Sequence, residues 1–326
     1  MPLELLTRYS NLLLTVYRDA QEKTVAEFQD SVLSALKAAL PFDSSMWGHG
    51  VMNPSGLDIH SIHLHNSSTA MLLAYDKVKH QDDAAFMVTQ QPTTTMAFST
   101  QTFFDKPDRS EIRQFATEFG HENYLISCDI NPITKFTQWI SLYRKDARQI
   151  CTQLETQLFA NLAPHLMQAL AINRKLHLDK LLGDTVREKW SVAIADPRGY
   201  YYHVDPRFLE LLELDWTSKN PDVLPPALLK SLLSSQSQVN GHQVVVRCSV
   251  EHGLLYLKAR ESVPADLLSP KELLIARLLA NGLTKKEVAE KLGRSLETVR
   301  SHVRSAFVKL DIQSTVALTQ HLALAE

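Results

Sequence analysis

Arg300 and Arg304 stand four residues apart, with Ser301 between them. On a helix that spacing is one turn, so the two guanidinium groups are surface neighbours. A helix laid in the major groove of DNA needs donors that reach guanine edges or phosphates, and small residues where the backbones approach. Arg300, Ser301 and Arg304 supply both. Thr298 and Lys309 are further candidates for phosphate contacts. So are Thr284, Lys285 and Lys286, placed where a helix N-terminus adds its own partial positive charge.

The elements that must hold these side chains are legible nearby. In Leu268-Ser269-Pro270-Lys271-Glu272, Ser269 caps a helix, Pro270 suits its first position and Glu272 completes a capping box. An apolar stripe through Leu273, Leu274, Ala276, Leu278 and Leu279 follows, ended by Asn281-Gly282. Thr284 to Glu287 is a second capping box, and its short helix stops at Gly293. Ser295 starts a third helix, in which Leu296, Val299, Val303, Ala306 and Leu310 recur at spacings of three and four. That stripe faces inward and leaves Glu297, Ser301, Arg304 and Val308 outside, with Arg300 on the flank. Ser314 caps a fourth helix. This is the sequence form of an all-α helix-turn-helix domain over residues 265–326. Leu268–Glu272, Leu278–Ala289 and Thr298-Val299-Arg300-Ser301-His302-Val303 closely resemble the LuxR-type DNA-binding domain. The resemblance implies that the third helix reads base edges through Arg300, Ser301 and Arg304, while Thr298 and the lysines hold phosphate. It also implies a fourth helix that contributes to dimerisation, a homodimer on double-stranded operator or promoter DNA, and RNA polymerase as a further candidate partner. Glu297 departs from the pattern: it either accepts from a cytosine amino group or repels phosphate.

The whole chain of 326 residues predicts two or three domains. Its net charge is −2, yet from residue 264 onward nine Lys/Arg stand against seven Asp/Glu, so only a local face is basic. Cys128, Cys151 and Cys248 form no Cys-x-x-Cys and predict buried spectator thiols in a reduced, cytoplasmic protein. No apolar run approaches the ~20 residues of a membrane span, and the N-terminus lacks a secretory core. There is no Gly-x-Ser-x-Gly, phosphate-binding glycine loop or His-Glu-x-x-His, which argues against an enzyme. No cofactor is expected, and neither is the acidic constellation of a phosphorylated receiver.

Residues 1–146 predict an α+β domain: helices over 2–19 and 24–40, strands at Ser44–Met52 and Leu57–Leu64, helical stretches at Ala70–His80 and Glu111–Phe119, then strands at Tyr124–Ile130 and Phe136–Arg144. Leu40 to Gly48, with Tyr75 and Asp82-Asp83 downstream, resembles the GAF-like input domain found ahead of LuxR-type tails. The resemblance implies a small-molecule effector between sheet and helices, with Trp47, Tyr75, Phe86, Phe98, Phe103 and Trp139 as candidate ligand contacts or, equally, core aromatics. An acyl-homoserine-lactone pocket expects Tyr-x-x-x-Tyr followed by Asp-Pro. Here Tyr75 is followed by Val78-Lys79 and Asp82-Asp83-Ala84, which argues against that ligand. His63 and His65 share one face of a strand, with His60 and His49 nearby. Spacing fixes no carboxylate or cysteine beside them, so a wet strand face is expected and no metal site.

Over residues 147–183, Ile150, Leu154, Leu158, Leu162, Leu166 and Leu170 recur every fourth residue, interrupted at Pro164. This resembles the linking helix of GAF-bearing regulators. It either packs on its own domain or pairs with a second copy. Pairing is favoured, because two tails on an operator must be held at fixed spacing. Residues 184–262 give two strands around Asp196-Pro197-Arg198-Gly199, helices at Phe208–Leu214 and Ala227–Leu233, and strands at Gln243–Ser249 and Leu254–Ala259. That order resembles a PAS domain, expected to relay rather than to bind. The multidomain expectation is therefore a sequence-specific transcriptional regulator under small-molecule control. Its alternatives are control by abundance alone, or a helix-turn-helix that contacts another regulator.

Overall fold

Helices α1 (Leu3–Glu22) and α2 (Val25–Ala39) open the chain, the second started by a capping box in which the Thr24 amide donates to Glu27 Oε2 at 3.2 Å. The computed structural model describes residues 3–182, 190–218, 220–234 and 237–325. Contacts group the chain into two units: residues 1–183 with 194–204 and 250–255, and residues 184–193, 205–249 and 256–326.

In the first unit, β1 (Ser44–Asn53) and β2 (Gly56–His65) form a hairpin. Then come α3 (Ala70–Val78), α4 (Asp83–Gln90), β3 (Thr95–Ser99), α5 (Thr100–Phe103), α6 (Ser110–Glu118), β4 (Asn123–Ile130) and β5 (Thr137–Arg144). The strands make one antiparallel sheet in the order β2-β1-β5-β4-β3. Alternation sends Leu125, Ile140 and Leu142 into the core with α1 and α2, and Tyr124, Ile126, Trp139 and Tyr143 into a second core on the other face. A register shift near His49 lets Leu57 and Ile59 turn to the same face as Ile62 and Leu64. Gly48 has no side chain because a Cβ there would run into the Trp139 indole, its cross-strand neighbour. The sequence does not predict α4 or β3; each is short, and its apolar residues (Ala84 to Val88, Met96 to Phe98) run together without showing a period.

Helix α7 (Gln153–Leu182) begins later than residue 147 and runs unbroken through the exposed Pro164. Phe159, Leu162, Leu166 and Leu170 are buried in the core shared with α1 and α2, whereas Ile150 and Leu154 are 66% and 61% exposed. Packing on its own unit therefore accounts for the stripe from Leu158 to Leu170, where the sequence favours pairing with a second copy, and leaves Ile150 and Leu154 uncovered. The expected end of this element at Gly183, and the start of the next segment at Asp184, lie outside the described residues.

The second sheet joins β6 (Ser191–Ala195), β7 (Tyr201–Val204), β8 (Gln238–Asn240), β9 (Val244–Glu251) and β10 (Leu254–Glu261) in the order β7-β6-β10-β9-β8, the same relative order as the first. Helices α8 (Pro206–Glu213) and α9 (Pro226–Leu233) lie between β7 and β8 in the chain. The turn before β7 closes through the Gly199 amide on the Asp196 carbonyl at 2.9 Å, with Gly199 at φ +93. Residues 194–204 belong to the first unit through His60 Nδ1 and Asp196 Oδ2 at 2.7 Å, Arg198 and Asp58 at 2.9 Å, and the Tyr202 hydroxyl donating to Ser61 at 2.8 Å.

The second unit ends in four helices, α10 (Pro270–Ala280), α11 (Lys285–Lys291), α12 (Leu296–Leu310) and α13 (Thr315–Ala325), around Ile275, Leu279, Val288, Val299, Val303 and Leu318. Arg260 at the end of β10 forms a two-pronged pair with Asp266 at 2.6 and 2.8 Å, and both side chains are buried. Among the described residues no helix is long and apolar enough to cross a membrane.

Candidate nucleic-acid interface and an internal cavity

Each helix of the C-terminal group starts where its cap residue dictates. The Glu272 amide donates to Ser269 Oγ at 3.4 Å and the Ser269 amide to Glu272 Oε2 at 2.7 Å. Thr284 and Glu287 repeat the arrangement at 3.3 and 2.7 Å, and Ser295 accepts from the Thr298 amide at 3.1 Å. Gly282 and Gly293 break the helices at φ +90 and +58. The apolar stripe of α12 is thereby fixed inward.

Its opposite face is open. Glu297, Thr298, Arg300, Ser301, Arg304 and Val308 are all exposed, as are Thr284, Lys285 and Lys286 at the start of α11. Among the described residues Arg304 has no ion-pair partner. Arg300 meets only Glu297, at 3.5 Å with both side chains mostly in water, a contact too weak to hold it. Thr284 is partly spent on its own cap, since its hydroxyl donates to Glu287 Oε2 at 2.8 Å.

Lys309 is the exception. Its ammonium donates to Glu272 Oε2 at 2.7 Å and to the Leu267 carbonyl at 3.3 Å. Ser305 Oγ donates to Glu272 Oε1 at 2.6 Å, so the carboxylate ties α12 to α10. Burial works to raise the Glu272 carboxyl, but the hydrogen bonds from Lys309, Ser305 and Ser269 outweigh it and hold the group at about 2. Lys309 is thus a structural clamp, where the sequence suggests a phosphate contact. Glu272 and Ser305 are functional partners the sequence reading misses. The capping box reveals Glu272 only in its local role.

In the first unit a cavity of about 70 Å³ lies between the sheet and α3, α4 and α6. On the measure in which one water needs ~10–15 Å³, that is room for about five waters or a small molecule. Of the six aromatic candidates, Tyr75 and Trp139 line it. Trp47 is buried in the other core against Phe28, and Phe98 and Phe103 pack on each other beside the cavity's core. Phe86 is 52% exposed. The Tyr75 hydroxyl donates to Asp82 Oδ2 at 2.8 Å, while Asp82 Oδ1 accepts from the Ala85 amide at 2.9 Å to cap α4. Burial raises the Asp82 carboxyl, and burial with the neighbouring Asp82 raises the Tyr75 phenol well above its ordinary value. His121 also lines the cavity, stacked on Tyr143 with ring centroids 3.7 Å apart. Burial lowers it to about 3, so the imidazole is neutral, and its Nε2 has no hydrogen-bond partner among the described residues. Nothing in the spacing around His121 announces this, because α6 and β5 bring its neighbours from elsewhere in the chain. Burial likewise pushes the thiol of Cys128, another lining residue, up to about 12.

Two capped helices and an uncovered recognition helix define a helix-turn-helix domain. Residues 266–322 match the family described as bacterial regulatory proteins, luxR family, and this C-terminal part of the chain is a luxR-family domain. The chain is 34% identical over 89 residues to a nitrate/nitrite response regulator protein homolog of Haemophilus influenzae, covering 27% of this chain and 42% of that protein. It is 43% identical over 56 residues to the transcriptional regulatory protein RcsB of Escherichia coli, covering 17% and 26%. The chain thus spans less than half the length of these curated relatives. Among solved structures, the N-acylhomoserine lactone dependent LuxR family transcription factor CepR2 of Burkholderia cenocepacia aligns with 51% of this chain and 92% of its own, at 18% identity and a TM-score of 0.39. At that score the likeness says nothing of a ligand.

Proposed function

We propose that the chain is a sequence-specific DNA-binding transcriptional regulator. Its domains follow the limits 1–146, 147–183, 184–262 and 265–326, and it acts as a homodimer on operator DNA. The observation that carries the reading is the exposed strip of α12, where Arg300, Ser301 and Arg304 are free of intramolecular clamps within a luxR-family domain. Arg300 and Arg304 reach base edges, Ser301 allows close approach, and Thr298, Lys285 and Lys286 hold phosphate. The cavity of the first unit supports small-molecule control. Its wall is mostly apolar, and its polar groups, Tyr75, Asp82, Tyr143 and His121, offer hydrogen bonds rather than a fixed positive charge. A small, uncharged and mostly apolar molecule suits it.

Gel shift of the full chain on DNA upstream of neighbouring genes tests the first claim. Arg304→Ala is expected to bind at least about fivefold more weakly, the low end of the roughly 1–3 kcal/mol that a base-reading side chain supplies. Equal binding by wild type and variant would overturn it.

A further inference from the structure

The strand periodicity places His63 and His65 on one face of β2, and the fold adds the carboxylate that spacing alone does not. Their cross-strand partners are Trp47 and Ser45, so both imidazoles lie on the side of the sheet that α2 covers. Asp30 reaches down from α2, and a single oxygen, Oδ1, lies 3.0 Å from His63 Nε2 and 2.8 Å from His65 Nδ1. One donor atom from each of the three side chains lies within 4.8 Å of the other two. We propose that Asp30, His63 and His65 form a binding site for a divalent transition-metal ion of the zinc type.

A tetrahedral ion with bonds of ~2.0–2.1 Å sets neighbouring ligand atoms about 3.3 Å apart. The two oxygen-to-nitrogen separations need open by only a few tenths of an ångström, and the two ring nitrogens, already within 4.8 Å of each other, need settle at the same spacing. The ligands also sit on rigid supports. His65 is buried in a strand paired to β1, and α2 is anchored through the fully buried Phe28, Val32, Leu33 and Leu36. Two imidazoles and one carboxylate suit zinc and its first-row neighbours. Magnesium and calcium require six or more oxygen ligands, which this set does not offer. The Asp30 side chain is 60% exposed, so a fourth position is open to water. An ion held there bridges α2 to the edge strand. The site is separate from the helix-turn-helix, and its fate is independent of the regulatory reading.

The test uses the full chain stripped with a chelator, then titrated with Zn²⁺ against a competing chromophoric chelator. One equivalent is expected to bind and to raise the melting temperature, with no response to Mg²⁺. Asp30→Asn and His63→Gln are each expected to weaken binding at least about tenfold, since even groups one bond further from an ion carry 10–100-fold. The double variant His63→Gln/His65→Gln should abolish the metal-dependent rise in melting temperature. The glutamines keep an amide donor facing Asp30, and metal-free melting curves check that the variants fold. Should the His double variant not fold, Asp30→Asn, at an exposed helix position, gives the same reading. Failure of the wild type to take up zinc, or equal zinc affinity in wild type and Asp30→Asn, would overturn the assignment.

Discussion

Replacing Lys309 by methionine separates two roles its charge can play. As a phosphate contact it would contribute to the salt dependence of DNA binding. As a clamp it contributes to folding. Lys286, exposed on α11, can play only the first. Lys286→Ala is therefore expected to lower the slope of log K against log salt by about 0.9, the value for one phosphate. Lys309→Met should leave the slope unchanged and destabilise the C-terminal helices by roughly 1–3 kcal/mol, because the buried Glu272 carboxylate loses a partner. Titrating binding from low to high salt, beside thermal melts, checks both. His121 and Glu272 set acid sensitivity in different pH windows, and His49, held well below its ordinary value by burial and by Arg174, acts in the first of them as well. His121 is held at about 3 against an ordinary 6.5, so its contribution is complete above 6.5 and is lost as pH falls toward 3. Glu272 is held at about 2 against 4.5, so its contribution is complete above 4.5 and is lost as pH falls toward 2. His121→Phe keeps a ring against Tyr143 and should lessen the loss of stability in the first window only, with the share of His49 remaining, which melts of the variant between pH 7 and pH 4 would show. Sequence exposes the arginine face because its cause is local, a stripe of period 3.6. It hides the clamp because Lys309 and Glu272 lie 37 positions apart.

Elements whose limits are set by adjacent residues are read correctly from sequence. Ser269, Thr284 and Ser295 each start a helix at the next residue. Elements that depend on distant packing are not. Strands β3 and β8 have five and three residues, and the second pairs with β9 through Val239 and Val246 rather than through any pattern of its own. Helix α7 is the instructive case, since Pro164 reads locally as an interruption. Burial of Leu162, Ala163, Leu166 and Met167 on both sides of it keeps the helix whole. The proline still costs a hydrogen bond to the Ala160 carbonyl, within a helix-interior penalty of about 3 kcal/mol relative to alanine. It recovers about 0.4–1 kcal/mol by stiffening the unfolded chain. Its ring is exposed, so no core contact is lost on replacement. Pro164→Ala is accordingly expected to stabilise the first unit by about 2 kcal/mol, measurable as a rise in denaturation midpoint at unchanged m-value. A fall in the midpoint would mean that Pro164 is needed for the way α7 packs on α1.

At the scale of the whole molecule, regulation requires that a ligand in the cavity and DNA on α12 influence one another. Such coupling is reciprocal: if the ligand changes DNA affinity by some factor, DNA changes ligand affinity by the same factor. Ala85 offers a way to test the proposed ligand site without touching the exposed face of α12. It lines the cavity from α4 and is 9% exposed. Leucine there adds three carbons, enough to fill about half of a space that holds about five waters. Its amide still caps on Asp82, because the backbone is unchanged. Ala85→Leu is expected to bind operator DNA as the wild type does without ligand, and to lose the ligand-dependent change in DNA affinity together with the ligand-dependent rise in melting temperature. Fluorescence anisotropy on labelled operator, with and without a molecule selected by thermal shift on the full chain, reads both effects. If the variant keeps its response, the effector binds elsewhere and the cavity is only a packing defect. If the wild type shows no ligand response with any uncharged apolar molecule while Arg304→Ala still weakens DNA binding, control passes to the abundance of the protein, because the exposed face of α12 then acts without an input from the first unit.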